Sequence, residues 1–89
     1  MEFVSGMVVI SSAGHDCGRW FAVTGADGRY VYIADGKERK LASPKRKNPK
    51  HICKTGLTVD VTAMTDKGLR RALNALCKQS IAEESEKLV

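Results

Sequence analysis

Lys37, Arg39, Lys40, Lys45, Arg46, Lys47, Lys50 and Lys54 stand within eighteen residues against the single acid Glu38, while the rest of the chain holds seven basic and nine acidic residues. A positive charge gathered in one segment draws a polyanion to one place on the surface rather than raising solubility everywhere. Pro44 and Pro49 lie within the densest part, Ser43–His51. They exclude a helix and bias the residues before them to extended geometry, the form in which a basic arm tracks a phosphate backbone and releases its counterions. A second group of residues, Gly14, His15, Asp16, Gly18 and Arg19, lies between two apolar runs. Glycines at these positions can take positive φ and admit a ligand close to the backbone, and a guanidinium at the loop edge suits phosphate. Asp16 repels phosphate, so its expected role is to cap the loop by bonding to the loop's own backbone.

Other chemistries find less support. His15-Asp-Cys17 and His51-Ile-Cys53 together hold two nitrogen and two sulfur ligands of the kinds that tetrahedral zinc accepts, but without the close Cys–Cys spacing of structural zinc sites, so no metal is expected. Cys77 reads as a small apolar residue of a helix face. No glycine-rich nucleotide loop, paired carboxylates on one element or nucleophile with its base is present, and 89 residues leave little room for a deep pocket. The expectation is a protein without catalytic residues or cofactor. Three cysteines cannot all pair within one chain, the start of the sequence lacks the pattern of a secretory signal, and no apolar run approaches the ~18 residues of a membrane span, so a soluble cytoplasmic protein is expected.

The elements that must carry these residues follow from local pattern. The sequence predicts strands at about Met7–Ser11, Arg19–Thr24, Arg29–Ala34 and Arg39–Ala42, with another near His51–Lys54. Gly25-Ala-Asp-Gly28 and Asp35-Gly36 make short hairpin turns between them. Successive hairpins imply an antiparallel meander that closes into a small barrel, with Val8, Ile10, Phe21, Val23, Val31 and Ile33 as its core. If Val31 and Ile33 face inward, Tyr30 and Tyr32 share the outer face, either as a platform for stacking bases, a role open to Trp20 too, or packed beneath a later helix. Leu57–Thr62 alternates like an edge strand or an extended linker. Leu69, Leu73, Leu76 and Cys77 then follow helical spacing, predicting an amphipathic helix from about Asp66 to Ser80, capped by Thr65 or Asp66, with Ile81–Val89 prolonging or fraying it. If Thr65 is the cap, Met64 and Leu69 form a hydrophobic staple.

The strand-loop-strand segment, with Gly6, Val8, Ile10, Gly14, Gly18 and Val23, resembles the KOW motif of large-subunit ribosomal proteins and transcription elongation factors. Ile33-Ala-Asp-Gly36, Arg39-Lys-Leu41, Pro44–His51 and, more loosely, Leu69–Leu73 extend the resemblance to small bacterial KOW proteins related to archaeal and eukaryotic ribosomal proteins. The resemblance implies a mainly β fold: a small SH3-like antiparallel barrel over residues 1–55 that includes the basic arm 43–51, then an extended segment or edge strand at 56–64 and a C-terminal α-helix and tail at 65–89. It also implies contact with structured, chiefly ribosomal, RNA through the loop and neighbouring basic residues. The RNA-binding set is then Arg19, Lys37, Arg39, Lys40, Lys45, Arg46, Lys47, Lys50 and His51. A monomer bound to RNA, with ribosomal proteins as further partners, is the expectation. A protein-docking module of the transcription or translation machinery, using the amphipathic helix, is the alternative.

Overall fold

In the computed structural model, which describes residues 3–87, five strands form one antiparallel sheet: β1 (Met7–Ser11), β2 (Trp20–Ala26), β3 (Val31–Ala34), β4 (Lys45–Lys47) and β5 (Ile52–Thr58). Their spatial order is β4-β3-β2-β1-β5. A 3-10 turn at Pro49–His51 separates β4 from β5, and one helix, α1 (Asp66–Lys87), follows the sheet. The fold is mainly β with a C-terminal helix, as the sequence predicts.

The sheet does not close by hydrogen bonding, because among the described residues no ladder joins the edge strands β4 and β5. It must nevertheless curl. A flat sheet of this order would hold its edges about 19 Å apart, four spacings of ~4.8 Å. The link from Lys47 to Ile52 passes through the 3-10 turn, whose shorter rise cuts its reach to roughly 13 Å. Register shifts between Val23 and Gly25 on β2 and between Met7 and Val9 on β1 supply bends of the kind that increase twist.

Both faces of the curled sheet carry buried residues. Val9, Phe21, Val23, Val31, Ile33 and Ile52 fill the concave side. Val8, Ala22 and Ala34 face Leu69 and Leu73 of α1 on the other side. The methyl side chains of Ala22 and Ala34, paired across β2 and β3, let the helix approach closely. This corrects the expected core in one strand. Val9, opposite Phe21, takes the inward place assigned to Val8 and Ile10; Val8 faces the helix and Ile10 is only half-buried. The run Met7–Ile10 is apolar throughout, so no alternation marks which parity points inward.

Two further expectations change. Arg39–Ala42 is not a strand. The Asp35 carboxylate accepts the Lys37 and Arg39 N–H groups, both at 2.9 Å, and the Arg39 carbonyl accepts the N–H groups of Asp35 and Gly36. The turn thus occupies the backbone that a longer hairpin would need. The fourth strand forms later, inside the basic arm, where Lys45, Arg46 and Lys47 pair with Ile33, Tyr32 and Val31. The strand expected near His51–Lys54 runs on as β5 through Thr58 and takes in the start of Leu57–Thr62, expected as an edge strand or extended linker, while 59–62 is not strand. β5 is irregular around Thr55–Leu57, and its last outward bond runs from Val59 N–H to the Gly6 carbonyl at 2.7 Å.

The helix begins as read. Thr65 Oγ1 accepts the Gly68 N–H at 3.1 Å, and Met64 packs in the same cluster as Leu69. Asp66 also accepts the Leu41 N–H at 2.7 Å, which ties the start of α1 to the chain leaving the Asp35 turn. Gly36 makes this docking possible. Its φ is 77°, and a side chain there would collide with the Asp66 carbonyl.

Candidate nucleic-acid interface

The loop between β1 and β2 is closed by its own backbone. Ser11 N–H donates to the Arg19 carbonyl at 3.0 Å and Gly18 N–H donates to the Ser11 carbonyl at 2.8 Å, and two further bonds link Cys17 to Gly14 and Arg19 to Asp16. Gly14 and Gly18 hold φ of 83° and 85°, values that favour glycine. The expected glycine geometry is therefore present.

Asp16 does something other than cap this loop. Its Oδ1 accepts the Ser11 hydroxyl at 2.9 Å and the Lys47 ammonium at 2.9 Å, while Oδ2 accepts the Lys45 ammonium at 2.8 Å. Lys47 Nζ also donates to the Ala13 carbonyl at 2.9 Å. The Asp16 and Lys47 side chains are each 8% exposed and Lys45 is 27% exposed. Burial alone would raise the Asp16 pKa, but hydrogen bonds from Lys45, Lys47 and Ser11, together with the Lys47 charge, outweigh it and hold the carboxyl well below the usual carboxylate range. Strand periodicity explains the pair of lysines. Lys45 and Lys47 are two residues apart on β4, opposite Ile33 and Val31, so both side chains leave on the inward face and meet the loop. The arm is thus not wholly outside the packed structure, and Lys47 is a buried member of it.

Arg46, of opposite parity, lies outside. Its guanidinium is 4.6 Å from the Tyr30 ring centroid, and it stands opposite Tyr32 in register. The Tyr32 hydroxyl donates to Asp27 Oδ2 at 2.7 Å. Asp27 also accepts the N–H groups of Tyr30 and Arg29; the Tyr30 bond, then Tyr32 and Arg29, brings its pKa down to about 2. Both tyrosines are half-buried while Val31 and Ile33 are buried between them, and their polar neighbours are a guanidinium and a carboxylate.

Arg19 bonds Glu38 at 2.6 Å and lies 3.6 Å from Asp35, joining the motif loop to the Asp35 turn. Ser12 N–H donates to the His51 carbonyl at 2.8 Å, joining the same loop to the 3-10 turn. The 11–19 loop, the 35–40 turn, β4 and the 3-10 turn therefore meet at one end of the sheet. Of the sequence-predicted residues, Lys37, Arg39, Lys40, Lys50 and His51 are exposed and have no carboxylate partner among the described residues. Arg19, Lys45 and Lys47 are engaged internally. His15 is exposed on the loop.

All three cysteines are free: Cys17 and Cys53 are exposed and Cys77 is half-buried. No group of three or more metal-ligating side chains gathers among the described residues. Sequence reasoning passed over Arg70 and Asn74, which line a cleft with Arg19, Trp20 and Lys37. Their only signal is position, next to the buried Leu69 and Leu73 on the helix. Compared with protein-family models the chain returns no match, and no curated protein matches it.

Proposed function

We propose that this protein is a non-catalytic RNA-binding domain of the KOW type, an SH3-like half-closed barrel that serves the ribosome or a ribosome-associated particle in the cytoplasm. The observation that carries the reading is the convergence at one sheet end of the glycine loop and the basic arm, joined through the buried Asp16–Lys45–Lys47 bonds. A solubilising charge run has no need of such a fastening. Here it preorganises a surface on which Lys37, Arg39, Lys40, Arg46 and Lys50 stand exposed.

The mechanism is backbone recognition. Duplex RNA hides its base edges in a deep, narrow major groove, so short exposed side chains meet phosphates and 2′-hydroxyls, and affinity comes from counterion release. Lys45 and Lys47 act indirectly by holding the Ala13–Asp16 backbone in place. Arg19 acts by exchange. Its partner Glu38 is 60% exposed, a surface pair of this kind is worth only ~0–1 kcal/mol, and an RNA phosphate displaces the carboxylate at small cost.

Crosslinking in cells followed by sequencing of the attached RNA tests the proposal. Ribosomal RNA should be enriched over a variant in which Lys37, Arg39, Lys40 and Lys50 are glutamine. Recovery of the same RNAs, in the same amounts, with both proteins would sink it.

A further inference from the structure

Between the start of β2 and the helix lies a cleft of about 340 Å³, at the small end of the ~300–1,000 Å³ typical of ligand sites. Arg19, Lys37 and Arg70 line it alongside Trp20, Leu73 and Asn74. The single acid of the lining, Asp35, has Oδ1 occupied by two backbone N–H groups and Oδ2 turned to Arg19. Lys37 and Arg70 have no carboxylate partner among the described residues. The cleft therefore carries excess positive charge against an apolar wall formed by an indole and a leucine.

We propose that this cleft seats one unpaired nucleotide of the bound RNA, its phosphate on Arg70 and Lys37, its base against Trp20 and its polar edge on Asn74. This rests on the RNA-binding reading and extends it from backbone charge to the recognition of an unpaired position. The chemistry matches group by group. Guanidinium and ammonium suit phosphate, an aromatic face stacks any base, and a side-chain amide presents both a donor and an acceptor. The volume excludes paired RNA, since a duplex does not fit between a sheet and the helix packed on it. Continuity supports the placement, because Arg19 and Lys37 belong to both the exposed basic end and the cleft.

Trp20 is the sole tryptophan, so tryptophan emission comes from one side chain of the cleft lining. The test titrates the full chain with an RNA hairpin bearing one bulged adenosine and with the same hairpin fully paired. The bulged hairpin should quench Trp20 and bind roughly tenfold more tightly, the scale of one base stack. Arg70→Gln and Asn74→Ala, both at exposed helix positions, should each bring the ratio of the two affinities toward one. Equal affinities with unchanged emission would overturn the cleft proposal and leave RNA binding by the basic end standing. If neither hairpin binds, the RNA reading itself fails and a titration with adenosine monophosphate decides what remains. Quenching that Arg70→Gln removes assigns the cleft to free nucleotides and overturns the RNA form of the proposal; no quenching overturns it entirely.

Discussion

In the turn after β3, Lys37, Arg39 and Lys40 stand exposed around a backbone held by Asp35, and none has a carboxylate partner among the described residues. In β4, a few residues later, Lys45 and Lys47 turn inward onto Asp16 while Arg46 turns outward onto Tyr30. The two segments are almost identical in composition, yet one offers its charge to solvent and the other uses most of its charge internally. The difference is conformational. A strand with a period of two, laid along the edge of a curled sheet, sends alternate side chains toward the interior, where a long ammonium must find an anion. A turn anchored by backbone bonds sends its side chains into water. A run of basic residues therefore does not count its own binding contacts until its backbone is known.

The comparison breaks most visibly at Asp16. Asp16→Ala leaves the Lys47 ammonium buried without its anion and should cost about 3–5 kcal/mol in urea unfolding followed by circular dichroism. The same carboxyl sets an acid limit. Its folded pKa lies below its unfolded value of about 3.9, so its contribution is complete above that value and is lost as pH falls through the folded value. The stability gap between the parent protein and Asp16→Asn should be constant near neutrality and narrow below about pH 4. A gap that stays constant into strong acid would show that the carboxylate pairing is energetically unimportant.

RNA affinity sharpens the contrast from the other side. Changing Lys37, Arg39 and Lys40 together to glutamine should reduce the slope of log affinity against log salt by about 2 to 3 units. Changing Lys45 and Lys47 to glutamine should lower stability while leaving most of the slope intact. Equal slope losses in the two variants would mean that β4 releases its lysines when RNA arrives.

Gly36→Ala tests how the exposed turn is held. Strain at positive φ and collision with the Asp66 carbonyl should cost about 1–3 kcal/mol and loosen the helix. Trp20 emission should then shift to the red, because the indole packs against the cluster that α1 covers; an unshifted spectrum would separate the turn from helix docking. The smallest effect belongs to Arg46→Ala. It should lose about 0.5–1 kcal/mol with its exposed cation–π contact, and a loss comparable to that at Asp16 would erase the distinction between the two sides of β4.

Much of the fold was legible because it rests on local chemistry. The glycines of the 12–19 loop, the Thr65 cap with the Met64–Leu69 staple, and the inward Phe21, Val23, Val31 and Ile33 follow from residue type and spacing. The misread places are those where local signals are silent. Met7–Ile10 is apolar on both faces, and Arg39–Ala42 has a strand-like composition that the Asp35 side chain overrides. The lysines of β4 lack the apolar alternation by which a buried strand is normally recognised, and its stabilising anion lies 29 to 31 residues away. The candidate site was half legible for the same reason. The segment that would carry the charge was plain, while the division into exposed and engaged cations was not.

By itself the sequence determined a β-rich chain with a glycine-shaped loop, a concentrated basic segment and a capped amphipathic helix, because backbone freedom, side-chain period and charge density are properties of neighbours along the chain. Only the tertiary structure decided that Asp16 claims Lys45 and Lys47, that the helix buries Val8 rather than Ile10, and that Arg70 and Asn74 come to face Trp20 across a cleft. Each of these depends on curling the sheet and docking α1 against Gly36, which brings together residues that no local pattern connects.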